Sequence, residues 1–336
     1  MATTFGIRDI ITADYLKKTL LVGVDLTDDN GNDYPDELFD AAIDMSISVI
    51  ETELGIVIDE YSNKGERHDG YSGNKFSWWG SQLDLRPLKA VDKVEITYGN
   101  YPAVSIPIEW VNISSAEAGS IHLIPTAETL GTFRFSNALP LLTDPITAFR
   151  AYERVPVYFN YDYTAGFNFI EQTITVPVNT NEVLDIAINE NLVDKPNFIF
   201  EVLDDGNGNV GGQSYVVKAF NVSEDKYSIR LPAASTPLLG DATIKVRIHT
   251  VPQIMIKAIM YMAAFLPLDT AGDLIAGAGI GAFALEVDGL KQNIQTTSSA
   301  TSAGYGAKII SYRTQLKAAI ASLKAKYRLK GLAIGF

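Results

Sequence analysis

Three histidines, His68, His122 and His249, are the only imidazoles in this 336-residue chain, and there is no cysteine. Without cysteine the chain can build no disulfide, no thiolate zinc site and no cysteine nucleophile. The histidines stand apart, with no H-x-x-x-H or H-x-H spacing. His122 and His249 fall inside strand-like runs, where a structural histidine is expected. No G-x-S-x-G elbow and no Walker loop occurs. "GAGIGA" (277–282) places glycines at 277, 279 and 281, which is not the dinucleotide fingerprint. The acidic stretch "DLTDDNGNDYPDELFD" invites a calcium reading, but from Asp28 the position needing glycine is Asp33 and the closing position is Phe39. Acids are too plentiful for any pair to be singled out as a glycosidase pair. The expectation is a protein that is not an enzyme and needs no cofactor or metal.

Charge placement is more informative. The chain holds 27 basic and 40 acidic residues. Eight of the basic residues lie beyond Asp288, where no acid occurs, so residues 1–288 hold 19 basic against 40 acidic side chains. In the last stretch Tyr305, Ile309, Tyr312, Leu316, Ile320, Leu323 and Tyr327 recur at steps of three and four. That spacing predicts one apolar stripe along a long helix. At 100° per residue Arg313, Lys317, Lys324 and Arg328 fall on a neighbouring stripe, with Lys308 and Lys326 elsewhere on the helix. One side can pack while the next meets something negative: DNA, an acidic protein surface or the rest of this chain.

Several elements must position that helix. "TADYLKKTLL" (12–21) reads as a short helix capped by Thr12, and a helix is expected from about Tyr34 to Leu54. Its expected buried stripe is Leu38, Ala42, Met45, Val49 and Ile50. From Ile56 to about Tyr163 the pattern turns to strands: 94–99, 108–113, 119–125 and 155–163. "SGNKFSWWGS" (72–81) reads as a loop or hairpin tip whose Trp78 and Trp79 are contact candidates, since adjacent residues of an extended segment face opposite ways. Residues 167–250 hold six strand candidates, at 173–178, 183–188, 197–203, 213–222, 226–231 and 242–249. That density predicts an inserted β-sandwich-like domain. The chain then returns to helix at "PQIMIKAIMYMAAFLPL" (252–268). No apolar run is read as bilayer-spanning, the best being Leu274–Leu285, and no signal peptide is visible, so a soluble protein is expected. The expected class is α+β: a helical core with a β-rich part (1–166 and 251–336), the insert (167–250) and a long C-terminal helix.

The order of "PDELFDAAIDMSISVIETELGI", "LDLRPLKAVDKVEITYG", "VYFNYDYTAGF", a "P-x-x-I-x-x-A-I-x-x-M-A-A" helix and "DGLKQNIQTTSSATSAGYGAKIISYRTQLKAAIASLKAKYR" resembles the head–tail connector (adaptor) proteins of tailed bacteriophages. The resemblance covers about 8–166 and 251–330 and is most specific from Asp288 to Arg328; the block 167–250 departs from the short link usual there. It implies a virion structural protein at the capsid–tail junction, made in the host cytoplasm. Neighbouring copies would form a ring, typically of twelve, bound to the portal protein above and to tail or neck proteins below. DNA would pass through the ring without sequence-specific binding during packaging and ejection, and an acidic wall would keep it from sticking. The docking surface would then be Lys308, Arg313, Lys317, Lys324, Lys326 and Arg328 with Tyr305, Tyr312 and Tyr327, against portal or neighbour. An alternative is a decoration or host-attachment protein whose β insert binds carbohydrate; a third is nonspecific DNA binding by the basic tail.

Overall fold

A computed structural model of the chain describes all residues except 1–4, 29, 70–75, 78–79, 99–102, 125–156, 177–182, 188–191, 193–194, 205–213, 218, 224–225, 231–241, 277–281, 288–289, 296–304 and 328–336. The chain is α+β and divides into two units. One is built on Met1–Leu54 and Pro252–Arg328, the other on Gly55–Val251. The expected division put 55–166 with the helices. The structure groups it with 167–251: among the described residues of Gly55–Val251 the regular elements are strands and one 3₁₀ turn, and each strand pairs with other strands of this stretch.

The helical unit opens with α1 (Ile7–Ile10) and α2 (Ala13–Thr19). The Thr12 side chain accepts the Tyr15 N–H at 3.1 Å, the expected cap. The acidic stretch is a turn: Asp28 accepts the N–H groups of Asn30 and Asn32, both at 2.8 Å, and Thr27 bridges to Asp33. It leads into α3 (Asp36–Leu54), whose first turn carries Asp36 and Glu37 against the positive end of the helix. The buried stripe of α3 is Phe39, Ala42, Ile43, Ser46, Ile50 and Leu54. The expected stripe is therefore rotated: Met45 and Val49 are 65% and 49% exposed. The face that holds Phe39, Ile43 and Leu54 buries more apolar area, so it takes the core.

Later in the chain come α4 (Gln253–Ala263), α5 (Phe265–Ala276), an antiparallel hairpin β16 (Ala282–Val287) and β17 (Leu290–Gln295), and α6 (Gly306–Tyr327). Pro252 precedes α4, where its missing N–H costs nothing. The stretch Gln253–Gly272 is long and apolar enough to cross a membrane, contrary to the expectation that none is, because α4 and α5 join at Ala264 with little interruption. Met255, Ile256, Ala258, Ile259 and Leu268 from this stretch are buried in the chain's own core.

In the β unit, β1 (Tyr61–Asp69), β4 (Leu88–Tyr98), β5 (Val104–Ile106) and β8 (Val157–Ala165) form one antiparallel sheet in the order β1-β8-β4-β5. The strands β2 (Phe76–Ser77), β3 (Gly80–Gln82), β6 (Val111–Ser115) and β7 (Ser120–Leu123) form another, ordered β2-β3-β7-β6. Alternation on β8 sends Phe159, Tyr161, Tyr163 and Ala165 inward, all fully buried, where they meet Leu83, Leu88, Ile96, Trp110 and Ile121. The expected strand 108–113 begins instead as a 3₁₀ turn, Ile108–Trp110, because Pro107 at its N-cap supplies no ladder N–H. Gly166 (φ +117°) ends β8 where a Cβ would lie 2.6 Å from the Asp59 carbonyl oxygen, so only glycine fits.

The remaining strands are β9 (Phe169–Val176), β10 (Val183–Ala187), β11 (Asn197–Asp204), β12 (Ser214–Val217), β13 (Ala219–Ser223), β14 (Lys226–Arg230) and β15 (Ala242–His249). They pair among themselves in two sheets, β12-β11-β15-β9 and β10-β14-β13. The expected strand at 213–222 is two strands that join different sheets. Trp78 and Trp79, the glycines of "GAGIGA" and Arg328 lie outside the described residues.

Candidate assembly interface

The helix α6 is rich in alanine and lysine, both good helix formers. Its buried residues, Gly306, Ile309, Leu316, Ala319, Leu323 and Tyr327, follow the apolar stripe read from the spacing. They pack against α4 and, less extensively, α3. Lys324 and Lys326 sit in the last turn, where they meet the negative helix end favourably.

The three tyrosines expected to dock a partner all make contacts within this chain. Tyr327 is fully buried in its own unit and is a core residue. The Tyr312 hydroxyl donates to the Leu20 carbonyl at 2.7 Å, and its ring lies 5.3 Å from that of Tyr261. Burial, then the neighbouring Tyr261, pushes the Tyr312 phenol above its ordinary pKa. The Tyr305 hydroxyl accepts the Asp25 N–H at 3.1 Å. Tyr327 has no surface left for a partner, while Tyr305 and Tyr312 remain partly exposed.

The cations divide. Lys308 donates to the Val22 carbonyl at 3.1 Å, and Lys324 pairs with Glu53 on α3. Part of the basic helix thus neutralises its own acidic unit. Arg313 lies 5.8 Å from the Phe265 ring centroid and Lys326 5.3 Å from that of Tyr327, within cation–π reach. Arg313, Lys317, Lys324 and Lys326 are exposed. The structure therefore brings Arg313, Lys317 and Lys324 to one exposed face of α6, as 100° spacing requires. On α3, Asp36 pairs with Lys17 and both Asp40 and Asp44 pair with Arg8.

One group that spacing alone did not bring together is in the β unit. His68, read as isolated, is buried with its Nε2 2.5 Å from Glu66 Oε1. The two lie two residues apart on β1 and so share a face. A bulge between Asn63 and Glu66, with Gly65 at φ +73°, sets that face. Burial alone would raise Glu66, but hydrogen bonds from His68, Tyr163 and the Asp84 N–H outweigh it and hold the carboxyl below its ordinary value.

No family model matches the chain. A 90-residue segment, 25% of the chain, is 31% identical to the LPS-assembly protein LptD of Francisella tularensis subsp. novicida, and the same holds for LptD of Francisella tularensis subsp. tularensis. The chain spans about 10% of the length of these curated relatives.

Proposed function

We propose that this protein is a structural assembly component of the head–tail connector type. It joins further copies of itself and a portal protein in a ring at the capsid–tail junction, with tail or neck proteins below and DNA passing through. Its role in the virion is mechanical and involves no catalysis. One observation carries the reading: α6 buries its apolar stripe on its own chain and still leaves Arg313, Lys317 and Lys324 on one outward face. A cationic face on a rigid helix, at the end of an otherwise acidic chain, is suited to an acidic protein surface. The uncovered Met45 and Val49 add an apolar contact of the kind that helix-to-helix assembly uses. The resemblance of the segment from Asp288 to Arg328 to connector proteins agrees with both.

The test is native mass spectrometry and negative-stain electron microscopy of the purified chain, alone and mixed with its portal. Closed rings, or rings that form on the portal, are expected. A chain that stays monomeric and fails to bind portal overturns the proposal. The carbohydrate reading draws on a separate observation, that among the described residues the strands of 167–250 pair with one another in two sheets. Glycan-array binding by the whole chain that is lost when the insert is deleted would favour it.

A further inference from the structure

The cluster around Glu66 is built like a cation site. Glu66, His68 and Asp84 each offer one ligand atom, and the three atoms lie within 4.8 Å of one another. Glu66 and His68 come from the same face of β1, and Asp84 from the loop that follows β3. At 2.5 Å, the Glu66 oxygen and the His68 Nε2 are too close to face each other as two lone pairs. The proton of the His68–Glu66 hydrogen bond lies between them, and an ion would take its place. Zinc–nitrogen and zinc–oxygen bonds of about 2.0–2.2 Å in a tetrahedral site would need the two atoms to separate to about 3.4 Å.

The surroundings orient both ligands as an outer shell does. Asn63 Nδ2 donates to Glu66 Oε2 at 2.8 Å, and the Tyr163 hydroxyl donates to the same oxygen. Tyr163 is itself fixed by the Leu85 N–H at 3.0 Å. The Asp84 N–H donates to Glu66 Oε1 at 2.9 Å, which ties the loop to the strand. Ser81 Oγ lies 3.5 Å from His68 Nδ1, on the side of the ring away from Glu66. An ion at Nε2 would displace the proton now shared with Glu66 and needs the ring's remaining proton on Nδ1, toward Ser81. The Tyr161 ring stands edge-on to the imidazole at 5.3 Å and closes the apolar side. Glu66 and His68 side chains are 8% and 2% exposed, while Asp84 is exposed and gives an ion its way in.

We propose that Glu66, His68 and Asp84 bind one divalent first-row transition-metal ion of the Zn²⁺ class, which ties the bulge of β1 to the loop after β3. One imidazole and two carboxylates suit such an ion better than Ca²⁺, which takes oxygen ligands alone. The role is structural, and it stands independently of the connector reading. The experiment uses the full chain without an affinity tag, stripped with a chelator and dialysed against Zn²⁺, with metal content and thermal midpoint measured. About one ion per chain and a raised midpoint are expected. Asp84→Asn, on the surface, should keep the far-ultraviolet circular dichroism of the parent and weaken Zn²⁺ binding about ten-fold or more. His68→Gln should reduce uptake to background. Absence of Zn²⁺ uptake by the folded parent, or uptake unchanged in Asp84→Asn, overturns the proposal even if His68→Gln does not fold.

Discussion

The Tyr163 hydroxyl joins three elements: it donates to Glu66 on β1 and accepts from Leu85 and from Asn63. Tyr163→Phe removes one oxygen and leaves the Leu85 N–H without that partner. Such a loss costs about 1–3 kcal/mol. Urea denaturation of the variant should show a lower midpoint at unchanged slope, and an unchanged midpoint would contradict this bonding. His249 makes a different prediction. It is buried at the end of β15, and burial, partly offset by the Val251 backbone, lowers its pKa from 6.5 to about 4. Above pH 6.5 the imidazole is neutral in both states and stability does not depend on it. Between pH 6.5 and 4 the unfolded chain takes up a proton that the folded chain refuses, so stability falls as pH falls, by roughly 3 kcal/mol in all. Glu66, whose folded pKa is depressed, acts only lower: its contribution is present above 4.5 and is lost as pH falls through the folded value. Midpoints measured from pH 7 to 4.5 should therefore fall more steeply for the parent than for His249→Gln; parallel curves would remove His249 from the account.

Elements were legible where a pattern was local. Alternation in "ATIKVRIH" and "VYFNYDY" marks β15 and β8, and three-and-four spacing marks α6. The hairpin β16–β17 was not read, although Val287 pairs with Leu290 across Asp288-Gly289, a strong two-residue turn signal. On α3 two apolar stripes compete, and only its neighbours decide which is buried. The Glu66–His68–Asp84 group was invisible for another reason: its partners are set by a bulge and by a loop 16 residues further on. Because α6 is held by its stripe, Leu316→Ala and Leu323→Ala should each cost about 2–5 kcal/mol. Thr12→Ala, which removes only a cap on α2, should cost about 1 kcal/mol. Thermal midpoints that rank the cap above the α6 core would refute this assignment of burial.

Across the whole molecule, the question is whether the cationic face of α6 serves folding or assembly, and charge reversal separates the two. Lys317 is exposed, and Lys324 is 46% exposed where it pairs with Glu53. A pair so open to water contributes about 0–1 kcal/mol, and an acid in the last turn adds an unfavourable dipole contact of about 0.3–1 kcal/mol. Lys317→Glu, Lys324→Glu and Arg328→Glu together should therefore leave a folded chain with a slightly lowered midpoint. The proposed assembly would answer differently, because one partner surface would see every reversed charge at once. Co-sedimentation with portal should drop sharply for the triple variant, and parent binding should weaken as salt shortens the screening length from about 30 Å at 0.01 M to about 8 Å at 0.15 M. Nucleic acid would answer to the same charges, so the samples need nuclease treatment first. If the folded triple variant then joins portal as well as the parent does, this face is a solvated surface and assembly runs through another, with Met45 and Val49 on α3 the next to be changed.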